Sequence, residues 1–108
     1  MIRKYETRVI PTNMSGKTGE INGEILKVII QISKPMPMLS VLIHTDVGER
    51  VLEIEGMDRT DIFYPVNELA FDGKIYNMSQ MKFRVDGLED GEKIDNIIII
   101  YKGENWRE

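Results

Sequence analysis

Sixteen isoleucines and seven valines stand in this chain against a single alanine, Ala70. β-branched side chains are stiff at χ1 and fit a pleated surface, whereas alanine is the best helix former, so the chain is predicted to be nearly all β. A length of 108 residues supports one hydrophobic core, and all strands are assigned to one domain spanning 1–108. With 42% apolar and 30% charged residues, neither a collagen-like, a coiled-coil nor a wholly disordered chain is needed to explain the composition.

Alternation puts Tyr5, Thr7 and Val9 on one side of a first strand that ends by Pro11, which lacks a ladder N–H. The stretch Pro11 to Gly19, followed by Asn22-Gly23, is dense in turn formers and predicts a flexible loop near 11–23. Glu24 to Ser33 reads as a strand with Leu26, Val28, Ile30 and Ile32 on its apolar face and Ile25, Lys27, Ile29 and Gln31 on a mixed one. Strands over Leu39–Asp46 and Val51–Glu55 form a meander, Asp46-Val47-Gly48-Glu49 being the turn, with Leu52 and Ile54 inward and Glu53 and Glu55 outward. After Ile62-Phe63-Tyr64-Pro65-Val66, the segment Asn67-Glu68-Leu69-Ala70-Phe71 is the one place suited to a helical turn, and Asp72-Gly73 signals a tight turn. Met81, Phe83 and Val85 alternate with Lys82 and Arg84, and Ile94 to Lys102 is apolar on both faces, as in a central strand. The expectation is about seven antiparallel strands in a two-sheet sandwich, Ig-like or jelly-roll-like, with a polar tail at 103–108.

Chemistry-bearing constellations are scarce. The absence of cysteine removes disulfides, thiolate nucleophiles and thiolate metal sites. Net charge −4 and a pI near 5.1 give no basic field for a polyanion, and nucleic acid is not expected as a partner. The longest apolar run, Ile97 to Tyr101, is far below the roughly 20 residues that cross a bilayer, and the charged start Arg3-Lys4 is unlike a signal peptide, so a soluble protein made inside a cell is expected. Gly16-Lys17-Thr18 resembles the end of a phosphate loop, but Pro11 stands where its first glycine belongs. His44 is the only histidine and has no thiol or second histidine to work with. The acidic turns (Asp46 with Glu49, Asp58 with Asp61, and Asp86, Glu89, Asp90 and Glu92) lack the spacing of a dedicated calcium loop, though clustered loops could gather oxygens. Asn13-Met14-Ser15 and Asn77-Met78-Ser79 match the glycan acceptor pattern, which without secretion is a chance match. No catalytic residue, cofactor or metal is assigned, and the chain is read as non-enzymatic.

The order of Gly19-Glu20-Ile21-Asn22-Gly23, the run Ile25 to Ile32, the Ser40 to Leu52 meander, Ile62-Phe63-Tyr64-Pro65, Asp72-Gly73 and the closing strand Asn96 to Tyr101 resembles small β-sandwich virion proteins of tailed phages. That resemblance implies a structural part without chemistry, attached to a capsid or neck, made in the host cytoplasm and located in the virion. The chain departs from the pattern at Val66, where a basic residue would follow the Tyr-Pro pair. Partners implied are other virion proteins and further copies of the chain; strands apolar on both faces independently suggest self-association. The alternative is a small carbohydrate- or calcium-binding module using the acidic turns with Tyr64, Tyr76 and Trp106. Candidate interface residues are Pro35, Met36, Pro37 and Met38, an extended segment with adaptable side chains, together with Phe63, Tyr64 and the lone Trp106. The same Met-Pro segment is equally suited to an ordinary crossover whose methionines plug the core. Trp106 either folds back on the domain or docks on a neighbour.

Overall fold

The computed structural model describes residues 1–103. Seven antiparallel strands make up the fold: β1 (Ile2–Glu6), β2 (Met14–Gln31), β3 (Met36–His44), β4 (Arg50–Met57), β5 (Asp61–Phe63), β6 (Tyr76–Asp86) and β7 (Asn96–Gly103). The all-β expectation holds, and the described residues contain no helix. All strands are hydrogen-bonded into one curled sheet, a half-barrel of order β1-β7-β2-β6-β3-β4, with β5 attached to β2. Hydrogen bonding therefore does not divide the strands into two separate sheets.

The reason lies in β2, which is 18 residues long. Its first part, Met14 to Glu24, pairs with β6, and its second, Gly23 to Gln31, pairs with β7, the two ladders overlapping only at Gly23 and Glu24. One continuous strand thus joins the β6-β3-β4 part of the sheet to the β7-β1 part. Bulges between Lys17 and Glu20 and between Ile25 and Lys27 bend it, as at the corners of orthogonally packed sheets. Each bulge also reverses the in/out alternation. The buried positions run Thr18, then Ile21, Gly23 and Ile25, then Val28 and Ile30, so Ile25 occupies the core where Leu26 was expected.

The flexible loop expected near 11–23 is accordingly strand from Met14 onward. Its turn-forming residues serve close packing instead. A Cβ at Gly16 would lie 2.9 Å from the Phe83 ring, and one at Gly23, whose φ is +144°, would lie 1.9 Å from the Lys102 carbonyl oxygen. Thr18 fills the first bulge, its hydroxyl donating to Gly19 O at 2.6 Å and accepting from Met81 N at 2.9 Å. The first strand ends earlier than Val9, because Arg8 turns into the left-handed region at φ 63°, where its N–H donates to Asn96 Oδ1.

The core lies inside the curl and is built from Ile21, Ile25, Val28 and Ile30 of β2, Leu39, Val41 and Ile43 of β3, Met81 and Val85 of β6, and Ile97 and Ile99 of β7. β7 lies between β1 and β2, which agrees with the central position its two apolar faces imply. Asn77, Thr18 and Thr45 are the buried polar residues. Asn77 is enclosed by its own hydrogen bonds, so the second glycan pattern is inaccessible in the folded chain.

Candidate docking site

The sheet ends at β4 on one side, and the chain then crosses through residues 58–60 to the short β5 on the other half of the sheet. β4 pairs only with β3, and β5 only with β2. Between them is an open seam of about 1020 Å³, lined on one wall by Glu49–Glu53 and Glu55 and on the other by Phe63–Ala70. Among the described residues one side-chain hydrogen bond crosses it, from Asn67 Nδ2 to Glu49 Oε2.

Residues 64–73 form a surface loop of unusual composition. Leu69 is 98% and Phe71 109% exposed, and Tyr64 and Val66 are also exposed. The loop nevertheless has a defined shape. Asn67 accepts Leu69 N on its side chain (3.1 Å) and Ala70 N on its carbonyl (3.2 Å), Gly73 N donates back to Ala70 O, and Asn67 N closes the loop on Gly73 O at 3.0 Å. The expected helical turn over Asn67–Phe71 is therefore realised as tight turns, with the Asn67 side chain mimicking a backbone acceptor. At the loop's exit the Tyr76 hydroxyl reaches Asp72 Oδ2 at 3.4 Å. The tyrosine titrates above its ordinary range through desolvation and, secondarily, the Asp72 carboxylate.

Lone exposed apolar side chains are common and mean little. Here four of them share one loop that is held by hydrogen bonds within it and to Glu49, Lys74 and Tyr76, so the exposure is presented rather than accidental. The lining is acidic as well: Glu49, Glu53, Glu55 and Glu68 stand against Arg50, which is already paired with Glu53 at 2.9 Å.

Of the residues singled out in the sequence, Phe63 and Tyr64 line this seam, Phe63 half-buried against the core and Tyr64 exposed. Pro35, Met36, Pro37 and Met38 do not line it. That segment is divided: Met36 is 1% exposed and paired with Met57, whereas Met38 is 67% exposed beside the exposed Pro35 and Pro37. Trp106 lies outside the described residues. Val66, Leu69 and Phe71 are not among the interface residues expected from the sequence. The available signal was three apolar residues within a stretch bounded by Pro65 and Asp72-Gly73, too short and too irregular to be a strand.

The division of the methionines gives a direct measurement. Met36→Ser is expected to lower stability by about 2–3 kcal/mol, because it empties a core position and buries a hydroxyl. Met38→Ser should leave the unfolding midpoint within about 0.5 kcal/mol of the parent, as for an ordinary surface change. Equal losses in urea titrations of the two variants would contradict the placement.

A second feature lies on the outer face of the sheet, where Lys17, Lys82, His44 and Arg50 occupy one register row across β2, β6, β3 and β4. Lys17 and Lys82 are direct cross-strand partners, an arrangement that repels. Lys17→Glu is expected to raise stability by about 0.5 kcal/mol at low salt, and the gain should fade in about 1 M salt as the Debye length shrinks. A gain unchanged by salt would show that charge is not its cause. Gly16-Lys17-Thr18 sits within β2 and precedes no helix, so the geometry of a phosphate loop is not present there.

Several carboxylates of the acidic turns are engaged within the fold. Asp86 binds Arg84 at 2.7 Å, Glu92 caps Glu89 N and approaches Lys34, and Glu49 holds Asn67. Among the described residues no group of three or more acidic or histidine side chains is arranged to hold a metal ion. No protein-family model matches the chain, and no curated protein matches it in sequence.

Proposed function

We propose that this chain is a non-enzymatic docking protein whose rigid β-scaffold presents the 64–73 loop to other proteins. In its specific form, the proposal is a structural or decoration component of a virus particle, produced in the host cytoplasm and attached to capsid or neck proteins. Nucleic acid and membrane have no part in it. We read the two halves of the bent sheet as the layers of an Ig-like or jelly-roll-like sandwich, stitched by β2.

The observation that carries the docking reading is the full exposure of Leu69 and Phe71 on a loop of defined shape. Burying each side chain against a partner gains about 1.5–3 kcal/mol, and a loop already ordered loses little further entropy on binding. Large apolar anchors on a pre-formed loop are the usual centre of a protein interface. The virion assignment is supported by the sequence resemblance, and further copies of the chain are natural additional partners.

The double variant Leu69→Ser/Phe71→Ser tests the reading, because both side chains are already in water and the fold should be unaffected. Mass spectrometry of purified particles is expected to find the parent chain as a regular component and the variant reduced at least tenfold. A parent chain absent from particles would overturn the virion assignment. Undiminished incorporation of the variant would overturn the loop as the docking element. Saturable binding of calcium or a glycan in calorimetry would instead favour a small ligand-binding module.

A further inference from the structure

We propose that the seam between β4 and residues 61–70 receives one extended, lysine- or arginine-bearing segment of a partner protein as an added β-strand, an inference that rests on the docking reading and specifies its mode. Three independent features of the seam lead there.

The first is backbone supply. β4 is the last strand of the sheet and pairs only with β3, so alternate N–H and C=O groups along Arg50–Met57 point outward with no backbone partner among the described residues. The stretch Glu49–Glu55, of which all but Ile54 line the seam, extends over about 20–23 Å, the length of an ordinary five- to six-residue strand with its flanks. The facing wall, Phe63–Ala70, makes one side-chain hydrogen bond across the seam among the described residues, from Asn67 to Glu49 in the turn just before β4.

The second is charge. Four glutamates line the seam, and the one arginine there is neutralised by Glu53. Charges on an edge strand ordinarily guard it against pairing. Such a guard has a sign, however: a two-fold pairing of β4 with β4 of a second copy, centred on Glu53–Glu55, would bring these glutamates against the same residues, which repels, whereas a basic strand is attracted. The occupant is therefore a basic segment of another protein rather than this strand's own duplicate.

The third is the wall itself. Phe63, Tyr64 and Val66 offer apolar surface beside the open edge. In strand addition the main chain supplies affinity and such surfaces receive alternate side chains of the incoming strand. A purely protective edge has no use for them.

The experiment uses the full chain, immobilised and exposed to a displayed library of random linear dodecapeptides. The expected winners carry lysine or arginine alternating with apolar residues and contain no central proline. The tightest of them, made synthetically, should perturb the amide resonances of Arg50–Met57 and Ile62–Val66 in 15N-labelled protein. Its affinity should fall at least tenfold for Glu53→Lys/Glu55→Lys and severalfold for the milder Glu53→Gln/Glu55→Gln. Both pairs are on the surface, and retained dispersion of the amide spectrum confirms their fold. N-methylation of alternate peptide amides should abolish binding.

No enrichment, enrichment of acidic or neutral sequences, or affinity indifferent to the charge reversal would each overturn the proposal. So would a homodimer in light scattering whose β4 amides are protected, since a second copy would then fill the seam. The two readings fail separately. Particle incorporation lost in Phe71→Ser, with basic peptides ignored by the seam, removes strand addition and leaves docking by the loop. A chain absent from particles that still takes basic peptides along β4 removes the virion assignment alone.

Discussion

Asn77→Ala is expected to cost about 4 kcal/mol, a large share of the 5–15 kcal/mol that holds a typical domain together. Asn77 is 0% exposed and all its polar atoms are used. Its Nδ2 donates to Ile21 O at 2.8 Å and to Ser79 O at 2.7 Å, and its Oδ1 accepts from Asp46 N at 2.8 Å. One side chain therefore ties β2 and β6 to the turn between β3 and β4. Alanine would leave these backbone groups without their side-chain partner, the Ile21 carbonyl in a fully buried site and the Asp46 N–H and Ser79 carbonyl in partly buried ones, and each orphaned buried group costs about 1–3 kcal/mol. Urea titration should show a lowered midpoint at an unchanged slope. A loss below about 1.5 kcal/mol would mean that water or a backbone shift replaces the amide.

Gly23→Ala is expected to cost more, about 4–6 kcal/mol, and in a marginal domain that means a largely unfolded chain. Gly23 stands where β2 passes from β6 to β7, paired with Asn77 on one side and Gly103 on the other. Its φ of +144° is open essentially to glycine alone, and an added Cβ would sit 1.9 Å from the Lys102 carbonyl oxygen. Relief requires moving one ladder away from the other, which no side-chain rotation achieves. Gly48→Ala is the control. Its φ is +87° with nothing within 4 Å of the added carbon, so only backbone strain of about 1 kcal/mol is expected. Circular dichroism and amide dispersion distinguish the outcomes; equal behaviour of the two variants would show that the clash is not the operative effect.

Both positions bear on what a strand-by-strand reading can detect. Asn77 and Gly23 belong to patterns that look, in the sequence, like a glycan acceptor and a turn. Their roles depend on atoms from residues 56 and 79 positions away, Ile21 and Lys102. The candidate site behaves likewise. Phe63 and Tyr64 stand out as an aromatic pair beside a proline, but the seam they line exists only because β4 and β5 end on different halves of the sheet. Leu69 and Phe71 carry no periodicity, so only the folded loop distinguishes them from core residues.

What the sequence by itself determined is the set of strands. The surplus of isoleucine and valine over alanine imposed the β class, and local alternation located β3, β4 and β7 to within a few residues and the second half of β6, Met81–Asp86, because strand burial has a period of two and is written in consecutive residues. The tertiary structure decided the rest. It drew Met14–Gly23 into β2, since glycine serves a crowded strand as well as a turn, and neighbours alone tell which. It chose Ile25 over Leu26 for the core, since a bulge reverses alternation without a mark in composition. It sent Met36 inward and left Met38 outside. And it joined two halves into one curled sheet with an open seam, because strand partners are chosen by long-range pairing and the closure of the core, neither of which is local to any segment.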